Sequence, residues 1–361
     1  MNLSEKTRGS DVFFPAAAWY AALAVPLAVN AMTRTAWPPG LIGAGHAHEM
    51  LFGFALALIA GYLLGPMARW RVLALLILWL VARFAYALAP AGSVAAVSSP
   101  LFALVLAVCL VPKFKSAKRW RNRAIAPLLL AICILPAMYV MPAAGDVLPV
   151  GIVLLALLMA FMGGRVIAPA AAGAFYRRGM NLEARVQPRL EGAIIVLLAG
   201  AAVILLLPSG RLVAAVGIGA AGAVILLRLL RWRLWVIWTH ADIMGLAAGY
   251  VWLALGLLMF AALLATGESP VPALHIITVG ALGTLSICVM TRVHMLHHGR
   301  NPARAPWVGQ SVVLIAVASV LRFAAALNPE LREPLLWFAA VAWSLAYLIA
   351  AILLLSVKRS G

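Results

Sequence analysis

Twelve apolar runs, each about long enough to cross a bilayer, divide the 361-residue sequence and constrain its fold more than any other feature. A helix needs about 20 apolar residues to span about 30 Å of hydrocarbon. The runs lie near residues 13–33, 46–66, 70–90, 94–111, 124–143, 147–167, 190–208, 211–229, 240–265, 272–292, 306–327 and 335–357. The sequence therefore predicts an all-α polytopic membrane bundle of about 12 transmembrane helices, with a single integral-membrane domain over residues 1–361.

Composition excludes an ordinary soluble enzyme. The chain is 65% hydrophobic and 11% charged, whereas soluble domains are about 45–50% apolar and about 25% charged. In a soluble protein a net charge of +18 would indicate nucleic acid as a partner; here we attribute it to membrane topology and expect the lipid bilayer, not nucleic acid, as the partner. Cys109, Cys133 and Cys288 lie in apolar runs without ligand spacing and are interpreted as core residues.

The positive charges are distributed unevenly between the two predicted membrane faces. With the N-terminus inside, 23 of the 28 Lys and Arg residues fall on inner segments. Only Arg34, Arg211 and Arg332 fall on outer segments, and Arg83 and Arg322 fall within spans. Because cytoplasmic loops are enriched in Lys and Arg, both termini are predicted to be cytoplasmic. The first run is expected to remain as a spanning helix, with cleavage as a signal peptide as the alternative.

Ionisable side chains within spans are costly and therefore mark candidate functional sites. One set falls at the predicted outer level and comprises His46, His48, Glu49, His275, Arg83 and Arg322. Imidazoles are common ligands of iron and copper, guanidiniums pair with carboxylates such as haem propionates, and a glutamate can hold a ligating imidazole from behind. This combination favours a haem or metal site.

A second set lies at the predicted inner level. His294, His297 and His298 close the tenth span at i+3 and i+4 spacing, so on a continuing helix they share a face and can bind one metal ion. His240 and Asp242 begin the ninth span. Because His275 and His294 are 19 residues apart, about 28 Å along a helix, the two sets predict two separate centres.

Ordinary structural roles compete with these interpretations. A single terminal histidine such as His240 is more often an interfacial residue, and Arg322 can extend its guanidinium outward to water. On a helix His46 and His48 diverge by about 200°, so both reach one site only if the span begins near His48. The sequence has no Walker loop, GxSxG elbow, HExxH motif or CxxCH attachment site, so any haem would be non-covalent. We found no motif repeated between the two halves.

Several segments resemble signatures of the NnrS family. Residues 46–54 read His-Ala-His-Glu-Met-Leu-Phe-Gly-Phe and are similar to its first signature. Residues 275–300 are similar to the second: they begin His-Ile-Ile-Thr-Val-Gly-Ala-Leu-Gly-Thr, continue through Met-Thr-Arg and end His-His-Gly-Arg. Residues 163–167, Gly-Gly-Arg-Val-Ile, resemble a third, and residues 249–252, Gly-Tyr-Val-Trp, also fit.

This resemblance implies a bacterial inner-membrane protein that contains haem and copper and is associated with nitric-oxide metabolism and resistance to nitrosative stress. The positions that match the family's motifs are His46, His48, Glu49, His275, His297, Arg165, Arg292 and Arg300. The departures are three. The chain has Leu-His-His-Gly-Arg at 296–300 where the family usually has Gly-His-Thr-Gly-Arg, Ala-Pro-Ala-Ala at 168–171 where it has Pro-x-Phe-Thr, and Ala247 where it often has histidine. These departures concern the inner site and the number of cofactors.

Three functions compete on this basis. The leading hypothesis is a membrane protein that binds nitric oxide or nitrosyl species at a haem held by the outer imidazoles, with copper at His297, His298 and His294. The alternative is a transporter or channel for a small solute, in which the same polar residues line a path and no cofactor is bound. A third is a sensor or assembly factor that binds metal without turnover. The sequence leaves open whether the protein is a redox enzyme, its electron donor and its oligomeric state.

Overall fold

The chain is almost entirely helical. A computed structural model describes residues 5–118, 120–141 and 147–357. Within this part of the chain the long helices are α1 (Gly9–Thr35), α2 (Ala44–Leu63), α3 (Arg69–Leu88), α4 (Ser93–Lys115), α5 (Ile125–Val140), α6 (Val147–Tyr176), α7 (Pro188–Ile204), α8 (Arg211–Arg231), α9 (Ala241–Thr266), α10 (Val271–His297), α11 (Pro306–Leu327) and α12 (Arg332–Ser356). The predicted all-α membrane fold is confirmed.

Eleven of these described helices are long and apolar enough to cross a membrane. The remaining helix, α5, has 16 residues, somewhat fewer than the about 20 that a perpendicular span needs. Each of the twelve predicted runs coincides with one helix. The cytoplasmic location of both termini remains a prediction.

Two predicted helix ends were wrong. The run near 147–167 was expected to give way to a long inner loop at Ala168, but α6 continues to Tyr176. The five residues between Pro169 and Phe175 are mostly alanine, the best helix former, and Pro169 is accommodated within the helix. The run near 272–292 was similarly too short, because α10 continues to His297.

Short π-helical segments lie within α2 and α10 and at the end of α1. Residues Ala31–Thr35 of α1, Glu49–Ala55 of α2 and Ile276–Gly283 of α10 are π-helical. Such segments frequently occur at functional sites, because the wider turn shifts side chains relative to the rest of the helix. The segments that precede α1 and α3 pair as a small antiparallel ribbon, β1 (Lys6–Arg8) with β2 (Pro66–Ala68).

The chain divides into two compact units. The first consists of Met1–Gly151 with Trp343–Gly361, and the second of Ile152–Ala342. In the first unit α2 packs on α1, and α4 lies between α3 and α5. The second half of α12 packs on this core, where Trp343 Nε1 donates to the Ala21 carbonyl at 2.9 Å and Ser344 Oγ donates to the Ala22 carbonyl at 2.7 Å.

The second unit is built on close helix packing. Helix α8 lies between α7 and α9, while α10 packs against α9 and α11. Small residues bring α8 and α9 together: a Cβ added at Gly222 would lie 3.0 Å from the Ala254 carbonyl oxygen. Close approach through small residues is typical of membrane helices. The prediction of a single domain over residues 1–361 remains a prediction.

Candidate functional site

A buried carboxylate organises the polar residues of the first unit. Glu49 is completely buried at the start of the π-helical segment of α2. It accepts hydrogen bonds from the Tyr20 hydroxyl on α1, from Arg83 on α3 and from His48 Nδ1, the last at 3.1 Å. Three helices therefore meet at one side chain. Three hydrogen-bond donors, one of them a charged guanidinium, offset the cost of burying this carboxylate.

Arg83 is held at both ends of its guanidinium. One terminal nitrogen, Nη1, donates to Glu49, and the other donates to Ser99 Oγ on α4 at 2.6 Å. The side chain is 3% exposed and lies five residues before the end of α3, about 7–8 Å along the helix. The guanidinium predicted to meet a haem propionate thus contacts a carboxylate of the chain itself.

Gly53 makes room for this ion pair. A Cβ at this position would lie 2.8 Å from Arg83 Nη1 and 3.1 Å from Tyr20 Cε1. Its carbonyl accepts a hydrogen bond from Trp79 Nε1 at 3.0 Å. The small residue at this position therefore lets the ion pair lie close to the α2 backbone.

Aromatic rings enclose the His48 imidazole. Tyr86 lies parallel to it, with ring centroids 3.6 Å apart and an interplanar angle of 10°. Phe52 meets it edge-on at 5.0 Å, and Tyr139 on α5 lies at 4.9 Å. The two tyrosine hydroxyls are 3.4 Å apart. The ring is therefore fixed in position by packing as well as by Glu49.

One nitrogen of this imidazole has no partner in the structure. Because a carboxylate only accepts, the bond to Glu49 places the proton of a neutral ring on Nδ1. The lone pair is then on Nε2, which is buried and has no hydrogen-bond partner among the described residues. A histidine held through Nδ1 by a carboxylate, with Nε2 available, has the arrangement of a metal-ligating histidine.

The other predicted outer residues occupy different positions. His46 is half-buried and precedes His48 by two residues on the same helical turn. His275 and Arg322 belong to the second unit, and both are half-buried. His275 Nδ1 lies 2.8 Å from the Val271 carbonyl oxygen. Since a carbonyl also only accepts, this contact likewise places the lone pair of a neutral ring on Nε2.

At the opposite end of α10 two of the three predicted inner histidines come together. The rings of His294 and His298 have centroids 4.2 Å apart, and ring nitrogens of the two lie within 4.8 Å of one another. His298 Nδ1 lies 2.8 Å from the His294 carbonyl oxygen. His294 is buried, whereas His297 is exposed, because a position three residues on lies on a different part of the helix surface from one four residues on.

The polar start of α9 is also engaged. Asp242 forms an ion pair with Arg292 of α10 through Oδ2, and its other oxygen, Oδ1, is buried without a hydrogen-bond partner among the described residues. His240, two residues before Asp242, is half-buried beside Thr239. These contacts join α9 to α10 and agree with a packing role for this pair.

The family is settled by sequence comparison. The family model described as NnrS protein matches residues 11–357. The chain belongs to the NnrS family. No curated protein and no solved structure shows significant similarity to it. Together with the eleven long apolar helices, membership identifies a multi-pass membrane protein of a family that suggests a role related to nitric oxide.

The third NnrS signature is explained by a buried network that the sequence analysis missed. Arg228 on α8 is 2% exposed, pairs with Glu191 on α7 and donates to the Ala160 carbonyl at 3.2 Å. The same carbonyl accepts from the Tyr250 hydroxyl. Cβ atoms at the two signature glycines, residues 163–164, would collide with Tyr250 and with the Arg228 guanidinium.

This second ion pair corrects one assignment. Arg228 was counted among the 23 charges on inner segments, at the end of the run near 211–229. The structure buries it beside Trp232, whose ring centroid lies 5.0 Å from the guanidinium carbon. Arg165, the charged member of the signature, lies 4.2 Å from the Phe161 ring centroid. Acidic residues are scarce in this chain. Glu191 was therefore a sequence feature that could have indicated a paired arginine.

Proposed function

We propose that this NnrS protein binds haem non-covalently through His48 and serves nitric-oxide metabolism or the nitrosative-stress response in the bacterial inner membrane. The observation that carries the proposal is the His48 side chain: buried, oriented by Glu49 and with an unpartnered Nε2. An orphaned buried nitrogen costs about 1–3 kcal/mol, which a bound ligand would recover.

The residues around His48 fit an iron-bound imidazole. Iron in haem proteins is commonly held by histidine, and Glu49 fulfils the role of the acceptor that fixes the ring and raises its basicity. Haem iron, when bound, supplies a site that binds nitric oxide and exchanges one electron. Tyr86, Phe52 and Tyr139 exclude water from the imidazole, which favours a neutral ring as the ligand.

Glu49 and Arg83 act through His48. The carboxylate holds the proton on Nδ1, and the guanidinium supplies the counter-charge of that carboxylate in an apolar environment. Tyr20 adds a donor to the carboxylate, and Ser99 adds an acceptor to the guanidinium. In this proposal the two residues position the ligand and set its electron donation, rather than contacting a haem propionate through Arg83.

His46, His275 and Arg322 remain candidates for the haem environment. Of these, His275 has the strongest case, because its Nδ1 is held by a backbone carbonyl in the manner of a ligating histidine. For copper we propose the pair His294 and His298, whose ring nitrogens are close enough to share an ion. His297 is exposed and would be at most an additional ligand.

An absorbance spectrum of the detergent-purified protein tests the proposal. We expect a Soret band, sharp bands after dithionite reduction and a shift of those bands when nitric oxide is added to the reduced protein. Reduced bands that ignore nitric oxide would indicate an electron carrier. A folded protein without any Soret band or bound metal would overturn the proposal and favour transport of a small solute.

The His48→Ala variant assigns the ligand. We expect this variant to lose the haem bands of the wild-type spectrum, because no other described side chain provides an imidazole nitrogen within this aromatic enclosure. His240→Ala is the control, since it removes a half-buried histidine at the start of another helix, α9, and should retain the wild-type spectrum. Loss of the bands in both variants would indicate general misfolding.

A further inference from the structure

An eight-residue sequence occurs twice in the chain. Residues 83–90 read Arg-Phe-Ala-Tyr-Ala-Leu-Ala-Pro, and residues 322–329 read Arg-Phe-Ala-Ala-Ala-Leu-Asn-Pro, with six of eight positions identical. Each arginine lies five residues before the end of its helix, α3 or α11. The expectation that the halves share no motif is therefore wrong for these two segments.

The backbone repeats along with the sequence. The residue after each helix, Ala89 or Asn328, is extended, with φ/ψ of −145°/73° and −124°/89°. Each donates its backbone N–H to the carbonyl four residues earlier, at 2.9 Å and 3.1 Å. Each precedes a proline, which disfavours helical geometry at that position. The two helices thus end in the same way.

The preceding helices α2 and α10 repeat as well. Both begin with a five-residue α-helical turn that ends at the histidine, Ala44–His48 or Val271–His275. In both a π-helical segment follows at once, Glu49–Ala55 or Ile276–Gly283. From each histidine the sequence reads His-x4-Gly-x4-Leu. A π-helical segment is rare, so its recurrence at the same place is strong evidence of duplication.

The glycine of this motif has the same role in both copies. Gly53 faces Tyr20 of the preceding long helix and Arg83 of the following one. Gly280 faces Trp252 of the preceding helix, where a Cβ would lie 2.9 Å from the indole ring, and Ser319 of the following one at 3.0 Å. We infer that α9–α11 are a diverged copy of α1–α3.

The two copies differ where the first binds its arginine. Alignment of the histidines places Ile276 where the first copy has Glu49, and alignment of the arginines places Ala325 where it has Tyr86. The second copy therefore lacks both the carboxylate that neutralises the guanidinium and the ring that covers the imidazole. Its histidine uses a backbone carbonyl in place of the carboxylate.

Arg322 is consequently left without an acid. It is half-buried and makes no hydrogen bond or ion pair with any residue that the structure describes. Arg332, an exposed arginine at the start of α12, adds a like charge rather than a counter-charge. A half-buried guanidinium without a counter-charge attracts an anion, and a planar oxyanion matches its fork of donors.

We propose that Arg322 binds an oxyanion in the second copy. This anion pairs with Arg322 as the Glu49 carboxylate pairs with Arg83 in the first copy. The ligand is a carboxylate or a small inorganic oxyanion of the same shape. It has two possible sources, a free anion from the outer solution or the propionate of a bound haem. Only the second source rests on the haem proposal above, since the duplication and the unpaired guanidinium stand without it.

Acetate, the simplest carboxylate, is the probe. The unfolding midpoint of the purified protein is measured in sodium acetate and in sodium chloride at equal ionic strength, on haem-replete and haem-deficient preparations. Because a ligand that binds the folded state stabilises it by mass action, we expect acetate to raise the midpoint by at least about 2 °C. Arg322→Gln should abolish the rise, and Arg34→Gln, an exposed outer arginine of the first unit, should retain it.

A further variant supplies the missing group. Ile276→Glu gives the second copy its own carboxylate and should remove the dependence on acetate. If this variant does not fold, the comparison of Arg322→Gln with Arg34→Gln still decides. A rise in both preparations identifies a free oxyanion. A rise in the haem-deficient preparation alone, together with weaker haem retention by Arg322→Gln, identifies a propionate.

Two results would overturn the proposal. One is an acetate effect that persists unchanged in Arg322→Gln. The other is the absence of any acetate effect in both preparations while Arg322→Gln retains its haem; Arg322 then simply extends to the membrane interface. A protein that binds no haem but shows the Arg322-dependent acetate effect would refute the haem proposal and support this one.

Discussion

Removal of the charge on Glu49 should destabilise the protein strongly, because Arg83 then has no counter-charge. The pair is buried, with Glu49 fully enclosed and Arg83 3% exposed. Breaking a buried ion pair from one side costs about 3–5 kcal/mol, whereas an exposed pair contributes about 0–1 kcal/mol. Glu49→Gln keeps the shape and one acceptor for Tyr20 or His48, so we expect a loss near the lower value, about 3 kcal/mol.

The double variant separates the charge from the packing. Arg83→Met removes the guanidinium, so Glu49→Gln combined with Arg83→Met leaves no uncompensated charge. We expect the double variant to lose about 2 kcal/mol less unfolding free energy than the two single variants lose in sum, which is within the range of coupling between contacting residues. Replacement of a buried pair by neutral groups is often nearly neutral.

Equilibrium unfolding in mixed micelles with increasing sodium dodecyl sulfate, followed by tryptophan fluorescence, measures these losses. Glu330→Gln, which removes an exposed glutamate, is the control and should change stability by less than about 0.5 kcal/mol. A loss below about 1 kcal/mol for Glu49→Gln, or additive single losses, would show that the carboxylate and guanidinium are not a coupled buried pair.

Two further predictions concern packing and metal binding. Gly53→Ala should cost about 1–3 kcal/mol of unfolding free energy, because the pinned Arg83 guanidinium cannot retreat, while Gly200→Ala, with open space around it, should be neutral or stabilising in the same unfolding assay. His298→Ala should weaken copper binding at least about tenfold, and His297→Ala should leave it within about twofold, as measured by equilibrium dialysis; equal losses would place His297 in the site.

Much of the fold followed from the sequence because a bilayer imposes one length and one composition on every span. The helix ends were harder, as α6 and α10 show. Their continuations beyond the apolar runs, to Tyr176 and His297, are polar or alanine-rich and carry no hydropathy signal. The π-helical segments also lack a sequence signature that hydropathy detects.

The candidate site was predictable in part. The cost of intramembrane charge singled out His48, Glu49 and Arg83, and their contacts in the first unit follow from that cost. Tyr20 and Ser99 were missed because hydroxyl groups are common in membrane helices and only tertiary packing shows which of them reaches a charge. Their roles became visible only with the geometry.

The internal copy was missed for a different reason. A search for a six-plus-six duplication compares the wrong helices, since α1–α3 correspond to α9–α11. The eight-residue repeat at 83–90 and 322–329 was present in the sequence. The structure shows that this repeat is part of a larger one, because both segments end a helix that packs on a π-helical segment preceded by histidine.

The most direct test of the account is chemical rescue of the His48 ligand. His48→Gly removes the imidazole and leaves a space of that shape beside Glu49. We predict that this variant loses the wild-type haem spectrum and that added imidazole restores it, while added methylamine does not. A wild-type spectrum in His48→Gly without imidazole would contradict the account, because the iron would then be held by other residues.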